Sequence, residues 1–236
     1  MGFDPAILVD NWPVLAKGFL ITVALSGVAI VLGFLLAIPV AMAKLARHRL
    51  VRLPAHLFIE TVRNVPFLIL LYLLHFGVPF SGFRLPAMVT GTLALALFGA
   101  AYFAEIIRGA ILAVPRGQME SARAVGMTHW QALREIVAPQ LVPALLPPSV
   151  NTAQMLVKES AVLATITVPE LTYSALLVQG QTFSPVEVFV ATGVLYWLIS
   201  LAIMSGARDY RPRRRPASSG SRIADRFLSL DARTRS

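Results

Sequence analysis

Residues 18–43 read GFLITVALSGVAIVLGFLLAIPVAMA, 26 positions without one charged side chain. A helix of that length spans roughly 39 Å at about 1.5 Å per residue. A bilayer hydrocarbon core is about 30 Å thick. The stretch therefore predicts a membrane-crossing helix that tilts or runs on past the apolar layer. Ala41-Met42-Ala43 has the look of a signal-peptidase site, but Asp4 and Asp10 precede the run and no basic residue comes before Lys17. The apolar stretch is also far longer than a signal-peptide core, so the segment is expected to be a retained span.

The rest of the chain follows the same pattern. Over 236 residues 56% are hydrophobic and 14% charged, against about a quarter charged in ordinary soluble domains. Mean hydropathy is +0.70. Further apolar runs predict an all-α, polytopic membrane protein of five transmembrane helices, at about 18–43, 57–80, 85–107, 141–165 and 187–207. Residues 1–211 form the membrane domain on this reading, and 212–236 a basic, Arg/Ser-rich tail with the composition of a disordered segment. The absence of Cys excludes disulfides and thiolate chemistry, and the four scattered His show no metal-ligand spacing.

Charge placement gives the sidedness. The net charge is +9, and all the Lys and Arg except Lys17, Arg63, Arg84 and Lys158 fall in three places. These are the first loop (Lys44, Arg47, Arg49, Arg52), the segment after span three (Arg108, Arg116, Arg123, Arg134) and the region after span five. By the positive-inside rule these are cytoplasmic and the N-terminus is outside, N-out and C-in. The basicity is a topology signal, not a nucleic-acid footprint. Arg211–Arg215 suits anionic membrane lipid.

Prolines interrupt several runs: Pro39, Pro66, and Pro139, Pro143, Pro147 and Pro148 around span four. Each lacks an N–H and is expected to kink or interrupt its helix. Freed carbonyls are tolerated at membrane depth only against protein or a wet cavity.

The segment 116–140 is long for a membrane connection and is patterned. Gln118 to Val125 favours helix, Gly126 reads as the C′ glycine that ends it, and Thr128 with Gln131 reads as a capping box. A second, amphipathic helix follows from about His129, with Trp130, Leu133, Ile136 and Val137 at helical spacing, and Pro139 is expected to end it. Pattern alone leaves two readings open: an interfacial helix lying on lipid, and a docking lever for a cytoplasmic partner.

Six blocks then carry a resemblance. Glu120-Ser121-Ala122-Arg123-Ala124-Val125-Gly126, with Ile136 and Pro139 beyond, resembles the EAA loop of ABC-importer permeases. Glu60-Thr61-Val62-Arg63-Asn64-Val65-Pro66, Tyr102 to Gly109, Val114 to Gln118, Leu156 to Ala164 and Val168 to Thr172 resemble blocks of the polar amino-acid branch, in the same order. The chain departs from the pattern at Ser121, at Asn64-Val65 and at Glu159-Ser160.

The resemblance implies a type I importer permease that pairs with itself or a sister permease. It also implies a cytoplasmic ABC ATPase as partner, and a periplasmic or lipid-anchored solute-binding protein. Coupling to the ATPase would fall to Glu120, Ser121, Ala122, Ala124, Gly126, Ile136 and Pro139. The chain has no G-x-x-x-x-G-K-[ST], so ATP and Mg belong to the partner.

Ionisable residues near the spans are the remaining candidates, because a charge at the bilayer centre costs about 2.5–3.5 kcal/mol on insertion scales. Glu60 with Arg63 and Glu105 with Arg108 stand three apart, a spacing that lets each pair neutralise itself on one helix face. Lys158 is the leading pathway candidate, with Glu159, Ser160 and Asn64 beside it. The alternative for Lys158 and Glu159 is a packing role at the dimer contact. The alternative function is an ATP-independent secondary transporter or channel subunit. An intramembrane enzyme would have only Ser26 and Ser149 to work with and no placed base.

Overall fold

Which helices lie side by side follows from where the small residues fall. A computed structural model describes residues 4–209, and among them there are only helices and turns. The chain runs through α1 (Ala6–Asp10), α2 (Trp12–Leu45), α3 (Arg49–Asn64), α4 (Phe67–Gly77), α5 (Ala87–Ala113), α6 (Arg116–Ala124), α7 (His129–Ala132), α8 (Ala138–Glu159), α9 (Leu171–Thr182) and α10 (Pro185–Asp209). Three helices, Trp12–Leu45, Ala87–Ala113 and Pro185–Gly206, are each long and apolar enough to cross a bilayer. Two bent pairs raise the number to five when each pair counts as one span: 49–64 with 67–81, bent by 112°, and 130–166 with 171–182, bent by 52°.

α5 is the spine, with Ala94 to Ala101 buried almost without a break apart from Leu97. Its small residues let neighbours approach closely, the usual basis of helix association in membranes. A Cβ at Gly33 of α2 would sit 2.9 Å from the Ala96 carbonyl oxygen, and Lys44 pairs with Glu105. α2 and α5 are therefore parallel. Gly99 of α5 packs against Leu156 and Gly91 against Leu163, so α8 runs antiparallel to α5. Val188 at the start of α10 packs with Leu15, and Ser200 accepts from Gln154 Nε2 at 2.9 Å, so α10 turns back antiparallel to α8. Successive directions thus reverse from α5 to α8 and again from α8 to α10. Aromatic contacts seal the centre, Phe34 edge-on to Phe103 at 5.5 Å and Phe67 to Phe98 at 5.1 Å.

Several expectations need correcting. The first helix is longer than 18–43. The expected span 57–80 is not one rod. Val65 is held extended before Pro66, as a residue preceding proline must be, and the chain turns sharply there. The first limb, α3, is amphipathic, and α4 with the turn Val78–Ser81 is apolar apart from Tyr72, His75 and Ser81. Pro39, Pro54, Pro143, Pro147 and Pro148 lie inside helices without ending them. Nor does Pro139 end the amphipathic helix. α7 passes through a π-turn at Leu133–Val137, closed by Ala138 N–H on the Leu133 carbonyl, straight into α8. The wider turn opens the hydrogen-bond ladder beside the residue that has no N–H to give. Span four breaks later, at Thr167, which takes φ 63°, and α9 beyond it was not foreseen. The tail 212–236, with Arg211–Arg215, lies outside the described residues.

Candidate functional site

The inner end carries the patterned loop. α6 ends in a paired reverse turn: Met127 N–H donates to the Ala122 carbonyl at 3.2 Å and Gly126 N–H to the Arg123 carbonyl at 3.0 Å. Both bonds require a left-handed residue between them, and Gly126 supplies it at φ 87°. Thr128 then opens the next helix reciprocally. Its N–H donates to Gln131 Oε1 at 2.9 Å, and Gln131 N–H donates to Thr128 Oγ1 at 3.2 Å. The two helices are thus pinned at a fixed angle by six residues. Ala122 is buried, and α6 lies against α7 and the π-turn. Gln140 Nε2 bridges back to Gln118 Oε1 at 3.4 Å. The outward side shows Glu120, Ser121 and Ala124, together with Val125 at 79% and Trp130 at 67% exposure. Ile136 is half-buried in the π-turn and Pro139 is exposed at the start of α8.

Beside this loop lies a charge cluster. Glu105 and Arg108 do pair along α5, at 2.8 Å, and Lys44 from the end of α2 joins the same carboxylate. Glu60 and Arg63 do not pair, contrary to their spacing. Glu60 faces Lys44 at 3.6 Å and His56 Nδ1 at 3.7 Å, while the Arg63 guanidinium stacks on the Tyr102 ring at 5.2 Å. Tertiary neighbours outbid the partner on the same helix. Asn64 turns back on α3, donating to the Glu60 carbonyl at 2.7 Å.

Lys158 is exposed on the outside of the single chain. Its chain neighbours set its level: Leu156 of α8 lies against Gly99, midway along α5, and Leu163, in the turn that follows α8, lies against Gly91 near the start of α5. Lys158 is therefore level with the stretch of α5 between Gly91 and Gly99, inside an apolar span. Among the described residues it makes no ion pair. Glu159 is half-buried. Ser160 is fully buried and donates to the Val157 carbonyl at 2.7 Å, so it does not share the face of Lys158.

One buried acid was overlooked among the site candidates. Glu170, 0% exposed, sits where span four breaks. It caps α9 by accepting from Tyr173 N–H at 2.7 Å, and it accepts from Tyr196 OH of α10 at 2.7 Å and from Thr22 Oγ1 of α2 at 3.4 Å. Thr22 Oγ1 in turn accepts from Leu171 N–H at 3.0 Å. One carboxylate ties three helices where the backbone is irregular. The available signal was a lone acid in the otherwise uncharged stretch between Glu159 and Glu187.

Residues 29–216 match the family model described as binding-protein-dependent transport system inner membrane component. The chain is 35% identical over 197 residues to the probable amino-acid ABC transporter permease YckA of Bacillus subtilis (strain 168), covering 84% of this chain and 87% of the relative. It is 34% identical to the nopaline transport system permease NocM of Agrobacterium fabrum (strain C58 / ATCC 33970), covering 85% and 87%. A crystal structure of an amino acid ABC transporter with histidines superposes with a TM-score of 0.83 at 32% identity, over 91% of this chain and all of that one.

Proposed function

On the premise that the chain belongs to the family of binding-protein-dependent transport system inner membrane components, we propose that it is the permease subunit of an ATP-driven importer of a polar amino acid or related small amine. It is a multi-pass inner-membrane transport component and not an enzyme. Its general partners are an ABC ATPase and a solute-binding protein, and the ATP and Mg sit on the ATPase. The relatives' names, amino-acid and nopaline permeases, support the cargo class.

The observation that carries the mechanism is the rigid turn at 122–131. The ATPase groove receives α6, with Ser121 and Ala124 small enough for close approach and Glu120 set to meet a cation, while Ala122, buried, keeps the inward side of α6 close to the rest of the chain. Gly126 and the capping box hold α6 at a fixed angle to α7, and α7 runs without a stop into α8. A push on α6 is delivered to span four and not lost in a loop. Ile136 and Pro139 lie at the junction where the lever becomes the span.

The pathway lies between two permease chains, this one and a copy or sister. Lys158 supports that arrangement. An exposed ammonium level with an apolar span cannot stay against hydrocarbon without a cost of a few kcal/mol, so its face is covered by the second chain or by water. There it meets the carboxylate of a passing amino acid, with Glu159 close by.

Reconstitution with the ATPase and the binding protein tests the proposal. Lys158→Ala is expected to assemble normally, hydrolyse ATP, and take up substrate poorly. Unaltered uptake by that variant would remove Lys158 from the path. ATP-independent uptake by the permease alone would replace the importer with the secondary-transporter reading.

A further inference from the structure

A pocket of about 400 Å³ opens at the inner end of the molecule between the ends of α2 and α5 and the first turns of α3. Four cations line it: Lys44, Arg49, Arg52 and Arg108. Glu105 engages Lys44 and Arg108, and Glu60 adds a longer contact to Lys44. Among the described residues neither Arg49 nor Arg52 forms an ion pair. The pocket therefore gathers positive charge from three helices and leaves part of it without a counter-charge.

The rest of the lining is His56 and two apolar side chains, Leu45 and Leu53. α3 itself presents Leu50, Val51 and Leu57 outward, with Leu50 90% exposed. An amphipathic helix with arginines beside bare leucines matches the headgroup boundary, where acyl chains cover the leucines and phosphates meet the arginines. A free phosphate would satisfy the cations and leave the leucines bare.

We infer that this pocket binds the phosphodiester of an anionic phospholipid of the inner leaflet, held by Arg49 and Arg52 with Lys44 and Arg108 behind them. The site is distinct from the substrate path and from the loop that meets the ATPase. Arginine suits the role because its planar fork grips two phosphate oxygens at once. The lipid would brace α3 against the α2–α5 junction that Lys44 and Glu105 already join.

The test uses full-length protein in a neutral detergent, titrated with phosphatidylglycerol and with phosphatidylcholine, and bound lipid is counted by native mass spectrometry. Phosphatidylglycerol should bind and phosphatidylcholine should not. Each cation is worth roughly fivefold near an anionic surface, so Arg49→Gln with Arg52→Gln should weaken the tightest-bound lipid by about 25-fold. Arg49→Lys with Arg52→Lys, which keeps the charge and loses the fork, should bind between the glutamine pair and unmutated protein. The charge-matched pair Lys17→Gln and Arg84→Gln, toward the other end, should change nothing. Unchanged affinity in the glutamine pair, or equal binding of phosphatidylcholine, overturns the inference. Efficient displacement by millimolar inorganic phosphate in unmutated protein also overturns it, and that arm needs no variant to fold. Lipid counting reads no transport, so its outcome is separate from that of the importer proposal.

Discussion

Replacing Gly126 separates backbone strain from every other effect. A Cβ built at this position meets no atom within 4 Å, so no steric clash accompanies the change. What remains is φ at +87°, which costs an ordinary L-residue roughly 1–2 kcal/mol. If α6 and α7 keep their angle only while this turn is formed, that cost lowers the ratio of formed to unformed turn about 5- to 30-fold. Gly126→Ala should then reduce ATP-driven uptake by up to that factor, with insertion and ATPase binding retained. Gly126→Asn should fall less, because Asn enters the left-handed region more readily. The assay is uptake into proteoliposomes per ATP hydrolysed, measured beside the stoichiometry of the purified complex. Wild-type coupling in Gly126→Ala, or a defect as deep in Asn as in Ala, would refute the argument that the turn geometry transmits force.

Thr128→Ala removes one half of the reciprocal cap and should destabilise the start of α7 by about 1 kcal/mol, visible as faster amide exchange at 129–132 with the membrane core unaffected. Tyr196→Phe deletes the donor to a buried carboxylate. It should lower stability by about 1–2 kcal/mol, and a double-mutant cycle with Thr22→Val should show coupling because both groups share Glu170 Oε2. Gly33→Val drives a side chain into the Ala96 carbonyl. It should cost about 1–3 kcal/mol or more, read as loss of folded protein after extraction, whereas Gly27→Val, which faces open space, should be tolerated.

The local features were legible and the tertiary ones less so. Gly126, Thr128 and Gln131 act within a dozen residues of one another, and their spacing alone specified the turn that forms. The spans could be read because uncharged length is itself the signal. Glu60 and Arg63 misled because a helical spacing only permits a pair, while Lys44 and Tyr102, remote in sequence, were better placed to take each of them. Pro66 and Pro139 are both helix breakers by rule. One produces a 112° bend, and the other is absorbed by a π-turn. The outcome depends on packing around each proline that no local window contains. Glu170 stood out as an isolated acid, but nothing nearby announced that Thr22 and Tyr196 would converge on it.

The contact between α2 and α5 has a mechanical consequence. Their seam is backbone against backbone at Gly33, is wedged by Phe34 against Phe103, and is bolted at one end by Lys44 and Glu105. Such a pair cannot shear. The two travel as one plank, and the interruptions of the helical rods fall instead in the crease at Val65–Pro66 and the elbow at Thr167–Glu170.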